Sequence, residues 1–191
     1  LDRGRKLGVE AVEEEEEEAV TTYDRAGTYG PETGTITIDD DVTISADGVI
    51  LQNMIIKGDL IIAEEVGDGD ATLNNVTVEG DTIIRGGGKD SIHINGGKYK
   101  DVIVESTSAG GIRLVVSDVK GLKVVISADA AGEEIVLEGT FGKVEIKADD
   151  VVLTTQGKTT IDEIKVHEDL SGITIKTEKG TTVKELVLES V

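Results

Sequence analysis

Short apolar runs broken by glycine, asparagine and aspartate fill most of the chain, and they recur at nearly constant spacing. Segment 49–70 is followed directly by segment 71–92, and at an offset of 22 residues seven positions are identical, among them the dipeptides 58–59 and 80–81, both Gly-Asp. A period of about 20–25 residues, built from β-branched runs and turn residues, is typical of a solenoid in which each period forms one coil.

One apolar triplet marks each coil, with two inward residues flanking an outward one. The central residues of these triplets are Thr43, Ile61, Ile83, Ile103, Val125, Glu145, Lys165 and Val187. Strands this short, joined by few residues, leave no room for hairpin reversals or crossover helices, so successive coils must pair in parallel about 4.8 Å apart. We therefore predict an all-β fold, a parallel β-helix of about eight coils, right-handed because parallel β connections prefer that hand.

Two finer features of the coils follow from the alignment. Asn53 and Asn75 close the same turn in successive coils, where their amides are expected to form a short hydrogen-bonded ladder that ends at Gly96. A second triplet leads each coil and predicts that His93 and Arg113 are neighbours on the outer surface.

The N-terminal segment has a different pattern. Residues 9–26 place valine, alanine and tyrosine roughly on one stripe and include six consecutive glutamates, which predicts a helix that ends at Gly27. We assign 1–27 to an acidic cap and 28–191 to the β-helix. The acidic residues form a solvated helix face or a partly disordered arm, and the apolar stripe of the helix covers one end of the solenoid; the two can both hold.

Charge and composition narrow the range of partners. The chain carries 39 acidic and 19 basic residues, a formal charge of −20, which disfavours nucleic acid and anionic membrane surfaces as partners. No apolar run approaches the roughly 20 residues needed to span a bilayer, so we predict no membrane insertion. The chain begins at Leu1 without a signal peptide, from which we expect a processed or excised form.

Few residues point to chemistry. Asp68 and Asp70 lie in a Gly-Asp-Gly-Asp turn that is permissive for Ca²⁺, although solvated turn residues explain the same pattern. His93 and Arg113 are the functional-looking pair, but no outward carboxylate is expected beside them. We therefore predict that the protein is not an enzyme and has no cofactor other than a possible calcium ion.

Several coil segments resemble a known architecture. The stretches AGTYGP (26–31), ADGVILQNM (46–54), GDGDATLNNVTVEGDT (67–82) and GGGKDSIHI (86–94) resemble the pectin-lyase-like right-handed parallel β-helix, and more narrowly the β-helix modules of bacterial cell-surface and S-layer-associated proteins. The resemblance implies an extracellular or cell-surface location but no particular activity, because a fold does not dictate a function. An idealised or engineered sequence would share the same regularity.

Two surfaces suggest self-association. The outward residues Ile61, Ile83, Ile103 and Val125 form an apolar ribbon, which either the chain's own N-terminal segment or another subunit would cover. Leu186 and Leu188 lie in a last coil with nothing beyond it to cover them, so that either the chain was cut from a longer protein or the end stacks on another copy.

Three functional hypotheses remain open. The first is a non-catalytic structural β-helix that self-associates, end to end or laterally, in an extracellular filament or surface layer. The second is a polysaccharide-binding or polysaccharide-lyase β-helix, which the scarcity of aromatic residues disfavours. The third is a designed or excised scaffold without natural activity.

Overall fold

The computed structural model describes residue 8 and residues 20–89 and 92–190. The predicted helix at 9–19 lies outside these residues. The described part of the chain is a parallel β-solenoid of about eight turns, which confirms the predicted fold class. Its seventeen strands belong to one hydrogen-bonded sheet, and the pairings between them are parallel.

The strands are mostly short, and they lengthen toward the C-terminal half. In chain order they are β1 (Thr22–Tyr23), β2 (Gly27–Tyr29), β3 (Ile36–Ile38), β4 (Val42–Ile44), β5 (Val49–Ile56), β6 (Leu60–Ile62), β7 (Ala71–Val78), β8 (Thr82–Ile84), β9 (Ile92–Asn95), β10 (Lys98–Tyr99), β11 (Asp101–Val104), β12 (Gly111–Ser117), β13 (Lys123–Ile126), β14 (Glu134–Ile146), β15 (Val152–Val166), β16 (Thr174–Lys176) and β17 (Thr182–Leu188). Two single turns of 3₁₀-helix, Glu64–Val66 and Ala128–Ala130, interrupt the coils.

Strand pairing arranges the coils in three stacks, which we call faces 1, 2 and 3. Face 1 contains β1, β4, β6, β8, β11, β13 and the C-terminal ends of β14, β15 and β17. Face 2 begins with β2 and ends with β16, and face 3 begins with β3 and ends at the start of β17. Every coil therefore contacts mainly the coils before and after it.

The core is a stack of aliphatic side chains. In face 1 the residues that flank each ribbon position are buried, as at Leu60 and Ile62, which are both 0% exposed. Phe141 is the largest fully buried side chain. Each fully buried residue of this size stabilises the fold by about 1.5–3 kcal/mol, so the dry interior is the main source of stability.

The predicted helix is wrong at its C-terminal end. Thr22 and Tyr23 form strand β1, which pairs with Thr43 and Ile44 of β4. Tyr23 is only 5% exposed and its ring lies 4.6 Å from that of Tyr29, centroid to centroid. Burying this aromatic side chain in the first coil outweighs the weak amphipathic stripe, because a strand here extends the existing ladder by one coil.

The predicted alignment of His93 with Arg113 is also wrong. His93 pairs with Val115 of β12, and Arg113 lies two residues earlier on the same strand. A shift of two residues leaves the inward and outward sides unchanged, since side chains alternate with a period of two. Both alignments place apolar residues inside, so the sequence pattern could not distinguish them.

The amide ladder forms as expected. Asn75 Nδ2 donates to Asn53 Oδ1 at 2.9 Å, and Asn53 Nδ2 donates to the carbonyl of Pro31 at the same distance. Both asparagines have left-handed backbones, with φ of 51° and 53°, and Gly96 continues that turn geometry with φ of 69°. Asparagine tolerates this conformation better than most residues, so the same side chains shape the turn and link the coils.

Candidate functional surfaces

Exposed large hydrophobic side chains occur at both ends of the solenoid. Across the described ranges they are Val20, Ile36, Leu186 and Leu188, with exposures of 60%, 41%, 53% and 68%. The residues of β15 that pair with the two leucines, Ile164 and Val166, are 1% and 8% exposed. The same inward positions are therefore buried one coil earlier and open to solvent in the last coil.

The first coil presents a shallow apolar cavity. It has a volume of about 420 Å³, and its lining includes Val20, Tyr23, Tyr29, Ile36 and Met54. In the described part of the chain, β1, β2 and β3 each pair only with strands of the following coil. Among the described residues, this end therefore combines an apolar cross-section with strand edges that no other described strand pairs.

The last coil resembles the first in having strands that pair with other described strands on one side only. Strands β16 and β17 pair only with β15 among the described strands, so no described strand occupies their other edges. Leu186 and Leu188 lie here, as the sequence pattern predicts for the end of the solenoid.

The apolar ribbon lies on the outer side of face 1. Ile61 pairs with Ile83, Ile83 with Ile103 and Ile103 with Val125, so the four side chains stack in register. Ile61, Ile83 and Ile103 are half-buried, whereas Val125 is only 6% exposed. In-register neighbours already shield much of each side chain, and the accessible part of the ribbon is the three isoleucines.

A charged cluster continues the ribbon toward the C-terminal end, and sequence reasoning missed it. Glu145 pairs with Val125 in the same column and is 7% exposed. Its carboxylate oxygens lie 3.1 Å from Lys143 Nζ, 3.4 Å from Lys147 Nζ and 3.7 Å from Lys123 Nζ. Alternating lysine and glutamate on β13–β15 was the available signal, but only the register shows that the cations converge on one carboxylate.

The environment of Glu145 changes its acidity. Burial raises the pKa of the carboxyl group, but the hydrogen bond from Lys143 and the charges of Lys123, Lys143 and Lys147 oppose it and lower the pKa to about 2. His167 Nε2 also lies 3.4 Å from this carboxylate. A carboxylate held ionised among several cations is a structural ion-pair network rather than an acid–base catalyst operating near neutral pH.

Aspartates of the turns bind backbone amides of the next coil. Asp41 Oδ1 accepts from the N–H of Asp59, and Asp47 Oδ1 accepts from the N–H of Asp70, both at 2.7 Å. Gly58 precedes Asp59, and a Cβ at this glycine would collide with the carboxylate of Asp41. In the same way a Cβ at Gly69, which precedes Asp70, would collide with the carboxylate of Asp47. The repeated Gly-Asp dipeptide is therefore explained by the packing of the turns.

The predicted calcium ligands lie in one of these turns. Asp68 is exposed, and Asp70 is half-buried with one carboxylate oxygen that is buried without a hydrogen bond. No group of three or more histidine, aspartate or glutamate side chains suited to a metal ion occurs in the part of the chain that the structure describes. Calcium binding by Asp68 and Asp70 stays a prediction.

A polar groove lies on the outer side of face 2. It has a volume of about 750 Å³, and Asp68, Lys89, Arg113 and Glu134 supply its charged lining. Arg113 forms an ion pair with Glu138, so the expectation that no outward carboxylate lies beside Arg113 was wrong. Mixed charges along a shallow groove suit a polar ligand, but they do not form a recognisable catalytic set.

Comparison with protein-family models, curated proteins and solved structures found no match to this chain. The structure therefore establishes a parallel β-solenoid of about eight turns, and the comparisons assign the chain to no family. Within residues 20–89 and 92–190, no helix is long and apolar enough to cross a membrane.

Proposed function

We propose that the protein is a non-catalytic structural β-solenoid that associates with further copies of itself end to end. The observation that carries the proposal is the exposure of Leu186 and Leu188, at 53% and 68%, on an otherwise dry aliphatic stack. Apolar surface of this kind is seldom left open without a partner.

The opposite end supplies a matching surface. Val20 and Ile36 are exposed at the first coil, beside the apolar cavity that Met54 and Tyr23 also line. Each end presents one coil with the same three faces, and the free edges of β17 and β1 belong to the same face. A second copy whose first coil stacks on the last coil would continue the parallel ladder without reversing any strand.

Such a contact joins two different surfaces of the same chain. Head-to-tail contacts of this type generate filaments unless the rotation between copies closes a ring. The proposed role is thus a structural element of a filament or surface layer, at an extracellular location suggested by the resemblance of the coil motifs to cell-surface modules.

The test replaces Leu186 and Leu188 together with aspartate. The variant is expected to lose assembly, as judged by negative-stain electron microscopy and light scattering with and without Ca²⁺, while circular dichroism shows that the inner coils are folded. Thr174→Asp is the matched control, because it adds a charge to the exposed outer surface of the same coil. Unchanged particle length in the leucine variant, or a wild-type chain that stays monomeric, would overturn end-to-end association. A monodisperse monomer would instead favour a scaffold without natural assembly.

A polysaccharide-binding role is a second candidate, and the groove on face 2 favours it. The groove offers Lys89, Arg113, Glu134 and Gln156 as hydrogen-bonding groups over about 750 Å³. Titration calorimetry with acidic and neutral polysaccharides tests this role. Binding that Arg113→Ala abolishes and Lys176→Ala preserves would support it, and no heat with any polysaccharide would exclude it for those tested.

A further inference from the structure

The outer side of face 1 has an apolar centre between two rims that carry charged residues. Its centre is the ribbon of Ile61, Ile83 and Ile103, which runs along the solenoid axis. One rim consists of the residues two positions before the ribbon column, and the other rim of the residues two positions after it, most of which lie just outside the ends of the face 1 strands. The first rim is Asp41, Asp59, Asp81, Asp101, Lys123, Lys143, Glu163 and Glu185; the second is Ser45, Ala63, Arg85, Glu105, Ser127, Lys147, His167 and Glu189.

Charge on the first rim changes sign along the axis. Its first four residues are acidic, Lys123 and Lys143 are basic, and Glu163 and Glu185 in the last two coils are acidic again. A second copy that lies face to face and runs in the opposite direction would reverse this order. With the two-fold axis between the coils of Ile83 and Ile103, Asp59 and Asp41 of each copy meet Lys123 of the partner subunit and Lys143 of the partner subunit.

We propose that two copies of this chain pair through face 1 in an antiparallel, two-fold symmetric dimer centred between Ile83 and Ile103. The proposal rests on the proposed function in taking a second copy as the partner, but it uses a different surface. In this dimer Ile83 packs on Ile103 of the partner subunit, and Ile61 on Val125 of the partner subunit. The apolar ribbon thus becomes the centre of the interface, where exclusion of water contributes most.

Three charge pairs cross the interface in this register. Asp59 faces Lys123 of the partner subunit, Asp41 faces Lys143 of the partner subunit, and Arg85 faces Glu105 of the partner subunit, and symmetry repeats each pair. Each of these cations also has a carboxylate in its own chain: Lys123 Nζ lies 3.2 Å from Asp101, Lys143 Nζ 3.1 Å from Glu145 and Arg85 Nε 2.5 Å from Glu105. The pairs across the interface therefore extend ion-pair networks that each copy already contains. Asp81 faces Asp101 of the partner subunit, but both carboxylates already have an ammonium group at 3.2 Å in their own chain, from Lys100 and Lys123. This register therefore opposes no uncompensated like charges at its centre.

Other arrangements are less favourable. Moving the two-fold axis onto the coil of Ile83 would bring Arg85 against Arg85 of the partner subunit. Running the copies in parallel would bring Lys143 against Lys147 of the partner subunit and Asp101 against Glu105 of the partner subunit. Like charges across an interface cost several kcal/mol and select against such registers.

The size of the surface sets the strength of the contact. Eight coils spaced about 4.8 Å apart and strands of about five residues give an area of about 600 Å² on each copy. Two such faces bury about 1,200 Å², which lies at the lower limit of stable, specific interfaces. The dimer is therefore expected to dissociate in the micromolar range.

Disruption of the ribbon is the first test. Ile83→Glu should raise the dimer dissociation constant about 100-fold in sedimentation velocity, because two unpaired carboxylates enter the apolar centre. The fold should persist, since Glu145 occupies the same outward column. Thr72→Glu adds the same charge to the outer side of face 2 and should leave dimerisation unchanged. A wild-type chain that is monomeric throughout the micromolar range, including one whose own N-terminal segment covers the ribbon, would overturn the proposal, as would an Ile83→Glu variant that dimerises normally.

Cross-linking tests the direction of the pairing, and the absence of cysteine from the chain makes it clean. Ala63 faces Ser127 of the partner subunit, so a mixture of single variants Ala63→Cys and Ser127→Cys should be joined by a short bismaleimide across sheets about 10 Å apart. Neither variant alone should be joined, because its two thiols would be separated by a further three coils, about 14 Å along the axis. Absence of the mixed product, or equal products from the single variants, would overturn the antiparallel register.

One variant distinguishes end-to-end association from the lateral dimer. Leu186→Asp with Leu188→Asp removes the end-to-end contact and should leave the mixed cross-link intact. Loss of filaments with retention of the cross-link supports both proposals. Filaments without the cross-link refute the lateral dimer alone, and the cross-link in a wild-type chain that never forms filaments refutes end-to-end assembly alone.

Discussion

The carboxylate of Asp59 accepts a hydrogen bond of 2.7 Å from the backbone N–H of Asp81, one coil further along the solenoid. Asp59 donates its own backbone N–H in the same way to Asp41, so acids in successive turns are linked in series. Hydrogen bonds to ionised groups are among the stronger ones in proteins. This series accounts for the aspartate of the repeated Gly-Asp dipeptide, and the space that each carboxylate needs accounts for the glycine.

Gly80→Ala should test this account directly. The added Cβ would collide with the carboxylate of Asp59 and the carbonyl oxygen of Gly58, although the backbone at Gly80 is not left-handed. We expect the free energy of unfolding to fall by about 3 kcal/mol, measured by chemical denaturation. Gly96→Ala is the control, because its Cβ would meet nothing and only the left-handed backbone would cost about 1 kcal/mol. Equal losses in the two variants would contradict the crowding argument.

The carboxyl group of Glu145 should make stability depend on pH in acid. Its pKa is lowered from 4.5 to about 2, so the unfolded chain binds the proton first and the stabilisation is lost as the pH falls from about 4.5 to about 2. Glu145→Gln should lower the free energy of unfolding by about 2 kcal/mol at neutral pH, and this difference should shrink over the same interval. Urea denaturation at a series of pH values measures it.

The control for this prediction is Glu65→Gln, which removes the same charge from an exposed turn. It should leave stability within about 0.5 kcal/mol of the wild type at every pH. A difference between Glu145→Gln and the wild type that stays constant from neutral pH down to pH 2 would contradict an ion-pair origin.

Asn75 should stabilise the fold in two ways, through its hydrogen bond to Asn53 and through its tolerance of a left-handed backbone. Asn75→Gly keeps access to the left-handed turn but removes the hydrogen bond to Asn53, so a loss of about 0.5 kcal/mol is expected. Asn75→Ala removes the bond and also strains the backbone at φ of 53°, which should cost about 1 kcal/mol more. Thermal denaturation of the two variants checks the order. An alanine variant as stable as the glycine variant would show that the turn relaxes.

Tyr99 contains a polar atom that the fold does not use. Its hydroxyl oxygen is buried without a hydrogen-bond partner, and burial raises the pKa of the phenol. Tyr99→Phe should therefore increase the free energy of unfolding by about 1 kcal/mol, because an unsatisfied polar group is removed with little change in shape. Destabilisation of this variant would mean that the hydroxyl has a partner in solution.

The repeat of 22 residues was sufficient to predict the coils, because a buried face imposes the same inward pattern on every strand. It was insufficient for the first coil, where Thr22 and Tyr23 carry no repeat and only the open ladder of β4 selects a strand. It also could not place His93 opposite Val115, since a two-residue shift preserves every inward side chain.

The candidate surfaces were only partly predictable from the sequence. Leu186 and Leu188 were identified from the sequence, because they continue the inward column into the last coil that the structure describes. The network around Glu145 was not, since its cations come from two coils, with Lys143 inside β14 and Lys147 just beyond the end of that strand. Convergence of this kind depends on register, which composition and periodicity do not determine.

Because each turn's aspartate holds the amide of the coil that follows, the linkage between neighbours is the same wherever a Gly-Asp turn recurs. A duplicate of segment 49–70 inserted after residue 70 would meet compatible neighbours on both sides, so the molecule should accept whole extra repeats and lengthen by about 4.8 Å with each. Length is then a quantity that gene duplication adjusts in fixed steps, with no redesign of the parts already present.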